Sequence, residues 1–350
     1  MNYHAIVGCI LGTAVGDALG LPYEGISPQR AARLLGPPDR YRFLVRRGMV
    51  SDDTEHTCMV AQSLIDAGAD VPKFTRSFAR RLRWWILALP AGVGKATARS
   101  GIKLWLGVSP AKAGVFSAGN GPAMRAAILG AALNDVPSML NLVRASSQLT
   151  HSDPKAEYGA IAVALAAKHS RDYQAIDANL WLDEVVDVVG NGGGELIDSF
   201  RRVIRSSETG ESTRTFANSL GLNDGVTGYT YHTVPVAIHA WLSNPKDFRK
   251  AVTSTIECGG DADTTAAIVG AIVGAGVGRE GIPNEWLDGI WEWPRRVSWM
   301  ERLGESLADS LAGDSSVKSP TLNPIAVLLR NLLFLFIVLF HGFRRLAPPY

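Results

Sequence analysis

The sequence predicts an all-α fold, one large helical bundle followed by a single apolar helix at the C-terminus. Three observations carry this. Most segments repeat apolar residues at helical spacing and are rich in Ala, Leu, Gly and Arg, with few alternating β-branched runs. Gly, Pro, Asn and Asp punctuate the chain at intervals about the length of a helix. Apolar residues make up 47% of the 350, enough to bury a sizeable core.

Taken in order, the elements begin with Gly8, Gly12, Gly16 and Gly20, which recur every four residues and so share one face of a first helix. Gly270, Gly274 and Gly278 repeat the device late in the chain. Glycine in a helix interior costs about 1 kcal/mol against Ala, so two such stripes predict a compensating close approach of two backbones. Helices are further predicted near 28–36, 55–67, 73–89, 94–106, 122–133, 137–148, 155–169, 195–206, 230–242, 246–256 and 284–304. Ser51-Asp52-Asp53 is a good N-cap for the 55–67 segment, and Asp153 with Pro154 forms a cap and first-position pair for 155–169. From Gly313 to Pro324 the composition shifts to Ser, Pro, Gly, Asp and Asn, the make-up of a linker that buries little apolar area. The expected division is a main domain over 1–311, a linker over 312–324 and an apolar tail over 325–350.

Charge and cysteine content narrow the function. Lys and Arg (35) nearly balance Asp and Glu (33), leaving no global basic field for a nucleic-acid backbone, so nucleic acid is not expected as a partner. Cys9, Cys58 and Cys258 are scattered without metal-ligand spacing, as expected for free thiols in a reducing compartment, and the main domain reads as cytoplasmic. Met1 to Ile10 lacks the basic region of an export signal, and Cys9 lies too near the start for a lipidation signal. The tail is different. Ile325 to Phe343 is mostly apolar and, at 1.5 Å per residue, a helix there approaches the roughly 30 Å of a bilayer core. Arg330 and Asn331 interrupt it near one end and Arg344-Arg345 follow the other. Membrane association through residues 325–346 is expected, by an interfacial or a spanning helix, against the alternative of a helix packed on the domain.

Two oxygen-rich clusters, Ser51-Asp52-Asp53-Thr54 and Asp261-Ala262-Asp263-Thr264-Thr265, each open an apolar helix. Either alone is an N-cap. Together, four carboxylates at one place would repel one another and need cations between them. Oxygen donors without His or Cys suit Mg²⁺ over Zn²⁺, with Mn²⁺ an acceptable substitute. Glu24 is a third acidic element within reach. In Ser117-Ala118-Gly119-Asn120-Gly121-Pro122, the glycines permit φ > 0 and Pro122 suits the first helical position, so backbone N–H groups could face a phosphate. Thr150-His151-Ser152-Asp153 is another polar corner before a helix. Tyr229, Tyr231 and His232 fit the core as well as a ligand platform.

In this order, Gly12 through Gly20 with Glu24, Ser51 through Thr54, Gly119 through Arg125, Thr150 through Asp153 and Gly259 through Thr264 resemble the ADP-ribosylglycohydrolase family. The resemblance spans about the first three hundred residues and does not cover the tail. It implies an orthogonal all-α bundle with a dinuclear Mg²⁺ site held by Ser51, Asp52, Asp53, Asp261, Asp263 and Thr264. It implies catalytic roles for Glu24 and Asp53, and contacts from Ser117, Gly119, Asn120, Gly121 and His151 to ADP-ribose. The implied reaction is hydrolysis of the bond between C1 of the distal ribose and an acceptor on a protein or small molecule. Arginine is the preferred acceptor, with serine, O-acetyl and base linkages open. A non-catalytic relative would be expected to lack a metal aspartate or Glu24, and all are present.

Overall fold

The computed structural model describes residues 2–43 and 45–344. Among them the regular structure is helical, and only isolated bridges such as Ile26 with Gly260 tie loops together. The predicted fold class is the observed one.

The glycine stripes explain the centre of the bundle. The helices Tyr3–Gly20 and Ala262–Val277 are buried over nearly their whole lengths and lie against each other. A Cβ added to Gly8, Gly12 or Gly16 would fall 2.1 Å from the carbonyl oxygen of Gly274, Gly270 or Ala266 respectively. Backbone therefore touches backbone. The order of these contacts makes the pair antiparallel, so the C-terminal end of the first helix meets the N-terminal end of the second. There a Cβ on Gly20 would stand 2.5 Å from Ala262 O. This juxtaposition places the site.

The helix Asp52–Ala67 packs against both this pair and the helix Val71–Leu87. It starts earlier than the apolar pattern indicates, because Ser51 caps it and Asp52 and Asp53 form its first turn. Two predicted helices are interrupted. The 122–133 segment is a short 3₁₀ turn, Ala123–Arg125, followed by the helix Ala127–Ala132. The 284–304 segment divides into Asn284–Leu287 and Val297–Leu311, since Pro294 lacks an N–H and blocks continuation. Helices Ala178–Val189 and Thr213–Ser219 escape the pattern reading, although Asp177 and Ser212 cap them.

The C-terminal segment departs furthest from expectation. Residues 312–324 are not a free linker, since Val317 and Leu322 pack on the core and Gln62 Nε2 donates to Pro320 O at 2.6 Å. The helix Pro324–Arg344 is docked along the domain. Arg330 Nη2 donates to Val50 O at 2.5 Å and to Glu292 Oε2 at 2.7 Å, and Asn331 Nδ2 donates to Ala88 O at 2.8 Å. Phe334 and Ile337 join Leu21, Phe43 and Met49 in a buried apolar cluster. The two polar residues that break the apolar run are thus its anchors. Its other face, including Leu329, Leu332, Leu333, Phe336, Leu339 and Phe340, is exposed. Arg345 and the residues after it lie outside the described residues, as does the side chain of Arg344.

Candidate active site

The two acidic clusters meet at the end of the glycine-paired helices. Asp53 Oδ2 accepts hydrogen bonds from Ser51 Oγ at 3.0 Å and from Thr264 Oγ1 at 3.2 Å, the second joining residues 211 apart in sequence. Asp261 Oδ2 accepts from Asn120 Nδ2 at 2.5 Å. A further carboxylate organises this arrangement. Asp17, fully buried at the end of the first helix, accepts from Ser51 N (2.9 Å), Thr54 N (3.2 Å) and Thr54 Oγ1 (2.5 Å). It clamps the turn that carries Ser51, Asp52 and Asp53.

The loop bearing Glu24 is fixed by backbone. Gly25 N donates to Gly260 O at 2.7 Å and Gly260 N to Ile26 O at 2.9 Å. Gly260 adopts φ +73°, and a Cβ there would lie 2.0 Å from Val226 O, so only glycine fits. Glu24 is exposed, but its charge reaches the clusters and raises the pKa of Asp52 and Asp263.

Burial and mutual repulsion dominate the electrostatics. Burial pushes Asp53 and Asp263 well above the usual carboxylate range, and neighbouring carboxylates add to it, Asp17 and Asp261 acting on both and Asp53 also on Asp263. Asp17 rises to about 6 through burial, despite its hydrogen bonds. Buried Asp53 Oδ1 and Asp263 Oδ1 have no hydrogen-bond partner among the described residues. Acceptor atoms buried without donors fit hard cations, and the whole donor set is oxygen. Among the described residues, no three Asp, Glu, His or Cys side chains stand close enough together to cage an ion as placed. Ser51, Thr264 and Asn120 hold the carboxylate oxygens instead.

Of the site residues that the family resemblance implies, all but buried Asp53 line one cavity of about 370 Å³. It is lined by Glu24, Ser51, Asp52, Asp261, Asp263 and Thr264 and by Ser117, Gly119, Asn120, Gly121 and His151. Gly119 and Gly121 are glycines for a reason different from the one expected. Neither adopts positive φ; a Cβ on Gly121 would lie 2.9 Å from the His151 ring, and one on Gly119 3.1 Å. The imidazole packs directly on the turn. The turn does not offer all its N–H groups to an anion, since Asn120 N donates to Gly228 O at 3.0 Å and Gly119 N to Ser117 Oγ at 3.3 Å. His151 is driven down to about 3 by burial and by nearby Arg125, so it stays neutral.

A family profile described as ADP-ribosylglycohydrolase matches residues 2–318. The chain belongs to the ADP-ribosylglycohydrolase family. An uncharacterised protein of Archaeoglobus fulgidus is 34% identical over 297 residues, covering 81% of this chain and 90% of its own. The ADP-ribosyl-[dinitrogen reductase] glycohydrolase of Rhodospirillum rubrum is 27% identical, covering 80% and 88%. ADP-ribosylhydrolase ARH3 of Mus musculus is also 27% identical, covering 80% and 85%. A solved structure titled ADP-ribosylglycohydrolase-related protein complex superposes with a TM-score of 0.64 at 26% identity, covering 89% of this chain and 99% of that one. The protein is therefore an enzyme of the glycohydrolase class.

Sequence reasoning missed several residues of this candidate site. Asp17 was visible as the one charge inside an apolar helix, and a buried charge must find partners. Arg125 is completely buried and acts from beneath, donating to Gly121 O (2.9 Å), Ser146 O (2.8 Å) and Thr150 Oγ1 (2.6 Å). It ties the glycine turn to the His151 corner. Lys95, exposed, is the cation among the lining residues, and Phe334 and Val338 of the C-terminal helix line the cavity too. Tyr231 belongs to the core, and Tyr229 accepts from Lys155 outside the cavity. Cys258 is buried with its thiol pushed up to about 12, which leaves it unreactive beside the centre.

Proposed function

We propose that this protein hydrolyses the glycosidic bond between C1 of the distal ribose of ADP-ribose and an acceptor, preferring arginine-linked protein adducts and using two Mg²⁺ ions, replaceable by Mn²⁺. The meeting of buried Asp53 with Thr264, at the wall of a cavity that Thr264 lines together with Ser117, Asn120 and His151, carries this reading. Ser51, Asp52, Asp53, Asp261, Asp263 and Thr264 would hold the ions, and the orphaned Oδ1 atoms of Asp53 and Asp263 support that assignment. When bound, the ions lower the pKa of a water and orient the vicinal ribose hydroxyls.

The chain's own residues do the rest. Asp17 and Asn120 keep the acidic turns in register before substrate arrives. Glu24, at the exposed rim, positions the attacking water or exchanges a proton with the leaving group. Asp53 and its neighbours place negative charge beside the oxocarbenium-like transition state. Neutral His151 hydrogen-bonds to the sugar rather than neutralising phosphate, and Lys95 supplies the positive charge for the diphosphate. Release of free ADP-ribose from arginine-, serine-, O-acetyl- and base-linked substrates, with and without chelator, tests the reading. Mg²⁺-dependent release from the arginine adduct is expected. Turnover of the other linkages alone would overturn the acceptor, and tight ADP-ribose binding without any release would overturn the hydrolysis.

The same reading places the enzyme in the cytoplasm, in keeping with three free, buried cysteines. There its exposed C-terminal face rests on a membrane surface. Pro324–Phe343 is long and apolar enough to cross a bilayer, yet Arg330 and Asn331 are buried against the domain, which favours a helix lying on the membrane over one spanning it. Exposed Trp291 and Trp293 add aromatic side chains suited to the interface. Flotation with lipid vesicles tests this, and a Phe336→Ser, Phe340→Ser variant that floats as well as the parent would reject it.

A further inference from the structure

The C-terminal helix lies beyond the 2–318 segment that matches the family, yet it contributes to the cavity. Phe334 is buried in the cluster that contains Leu21, and Val338 packs against that cluster at partial exposure. Leu21 opens the short turn that leads into Glu24. The cavity is also lined by the glycine turn with His151, and Thr97 lies against that turn, 3.7 Å from a Cβ on Gly121. The lining thus falls into two chemically different groups. One is polar, with Ser117, Asn120 and His151; the other is apolar, with Leu21, Ala91, Phe334 and Val338.

The helix is held firmly enough to shape a ligand. Arg330 contacts both Glu292, at 2.7 Å, and the carbonyl of Val50, the residue before Ser51. Glu292 Oε2 in turn accepts from Val50 N at 3.2 Å. The peptide groups on both sides of Val50 are therefore tied to the network that anchors the helix. Position of the apolar wall and position of the acidic turn are mechanically linked.

We infer that the C-terminal helix is the acceptor-side wall of the cleft, and that Phe334 and Val338 determine which acceptors fit. This rests on the proposed hydrolysis: with ADP-ribose held by the polar residues and its distal ribose at the carboxylates, the acceptor projects past Glu24 towards Leu21 and Phe334. An acceptor that is small, or that presents methylene groups before its polar end, finds matching apolar surface there. A bulky one meets the helix.

Val338 is the residue to vary, since it is only partly buried and borders the cavity. Calorimetry with chelator present, so that the peptide is bound but not cleaved, compares an ADP-ribosylated peptide with free ADP-ribose on the intact chain, using Val338→Phe to narrow the wall and Val338→Ala to widen it. Val338→Phe should weaken the peptide about tenfold, the scale of one misfit methylene or more in an apolar pocket, while free ADP-ribose is held within about twofold. Val338→Ala should leave ADP-ribose binding unchanged and shift kcat/KM towards larger acceptors. Equal effects on peptide and free ADP-ribose in both variants, or none on either, would overturn the inference. Because binding is read without turnover, a wild-type chain that releases no ADP-ribose sinks the hydrolysis while the wall is still decided by the peptide and ADP-ribose affinities.

Discussion

Asp53 shows how much a single side chain carries here. One oxygen is satisfied by Ser51 and Thr264, the other is buried without a donor, and burial with neighbouring carboxylates raises its pKa. Asp53→Ala should abolish Mg²⁺ affinity and turnover by orders of magnitude, yet leave the metal-free fold as stable or more stable, since it relieves repulsion. Titration calorimetry beside thermal melting checks both halves, and undiminished metal affinity would reject the assignment. A pH dependence follows from Asp17, whose pKa rises from an ordinary 3.8 to about 6 through burial. The folded state holds this proton more tightly than the unfolded chain, so stability of the metal-free protein should fall as pH rises through that interval. Asp53 and Asp263 shift the same way. Melting temperatures measured from pH 4 to pH 7 with chelator should therefore decline, and saturating Mg²⁺ should reverse the decline at the upper end. A flat profile with chelator would refute the electrostatic account.

At the scale of elements, the docked C-terminal helix hangs on Arg330. Its guanidinium is buried with Glu292 and Glu55, and removing one partner of a buried ion pair costs about 3–5 kcal/mol. Arg330→Ala should thus undock the helix, detected as protease sensitivity near residue 320 and a lowered melting temperature. Unchanged protection would show that the apolar contacts of Phe334 and Ile337 suffice. Sequence could not reveal this docking, since Arg330 and Val50 are 280 residues apart and an apolar run broken by Arg-Asn reads equally as a membrane segment. By contrast the helices themselves, the glycine stripes and both acidic clusters were legible, because 3.6-residue periodicity, four-residue spacing and capping chemistry are local signals. The Gly119–Gly121 turn was found for a partly wrong reason. Its glycines make room for a ring from another segment, which no local rule foresees. The 284–304 region was over-extended because its apolar spacing outweighed Pro294.

For the whole molecule, catalytic domain and tail behave as one body. Removing residues 321–350 strips cover from Leu21, Phe43 and Met49 and removes two cavity-lining side chains. The shortened chain should lose most activity and become prone to aggregation, which activity assays and light scattering will show; full turnover in a soluble truncated protein would mean the tail is only an attachment. The glycine-paired core also has a bearing on which ion the enzyme accepts. Asp17 and Asp263 are carried on two helices whose spacing is set by main chain touching main chain, with no intervening side chain to change rotamer. A gap fixed that way cannot breathe to suit the visitor. Mg²⁺ takes oxygens at about 2.0–2.1 Å in a strict octahedron, whereas Ca²⁺ prefers about 2.3–2.6 Å and looser shells. The frame should consequently tell ionic radii apart, with Ca²⁺ supporting far less turnover than Mg²⁺, and a Gly12→Ala change, pressing a methyl group against Gly270, should blur that discrimination from the middle of the helix rather than from the site.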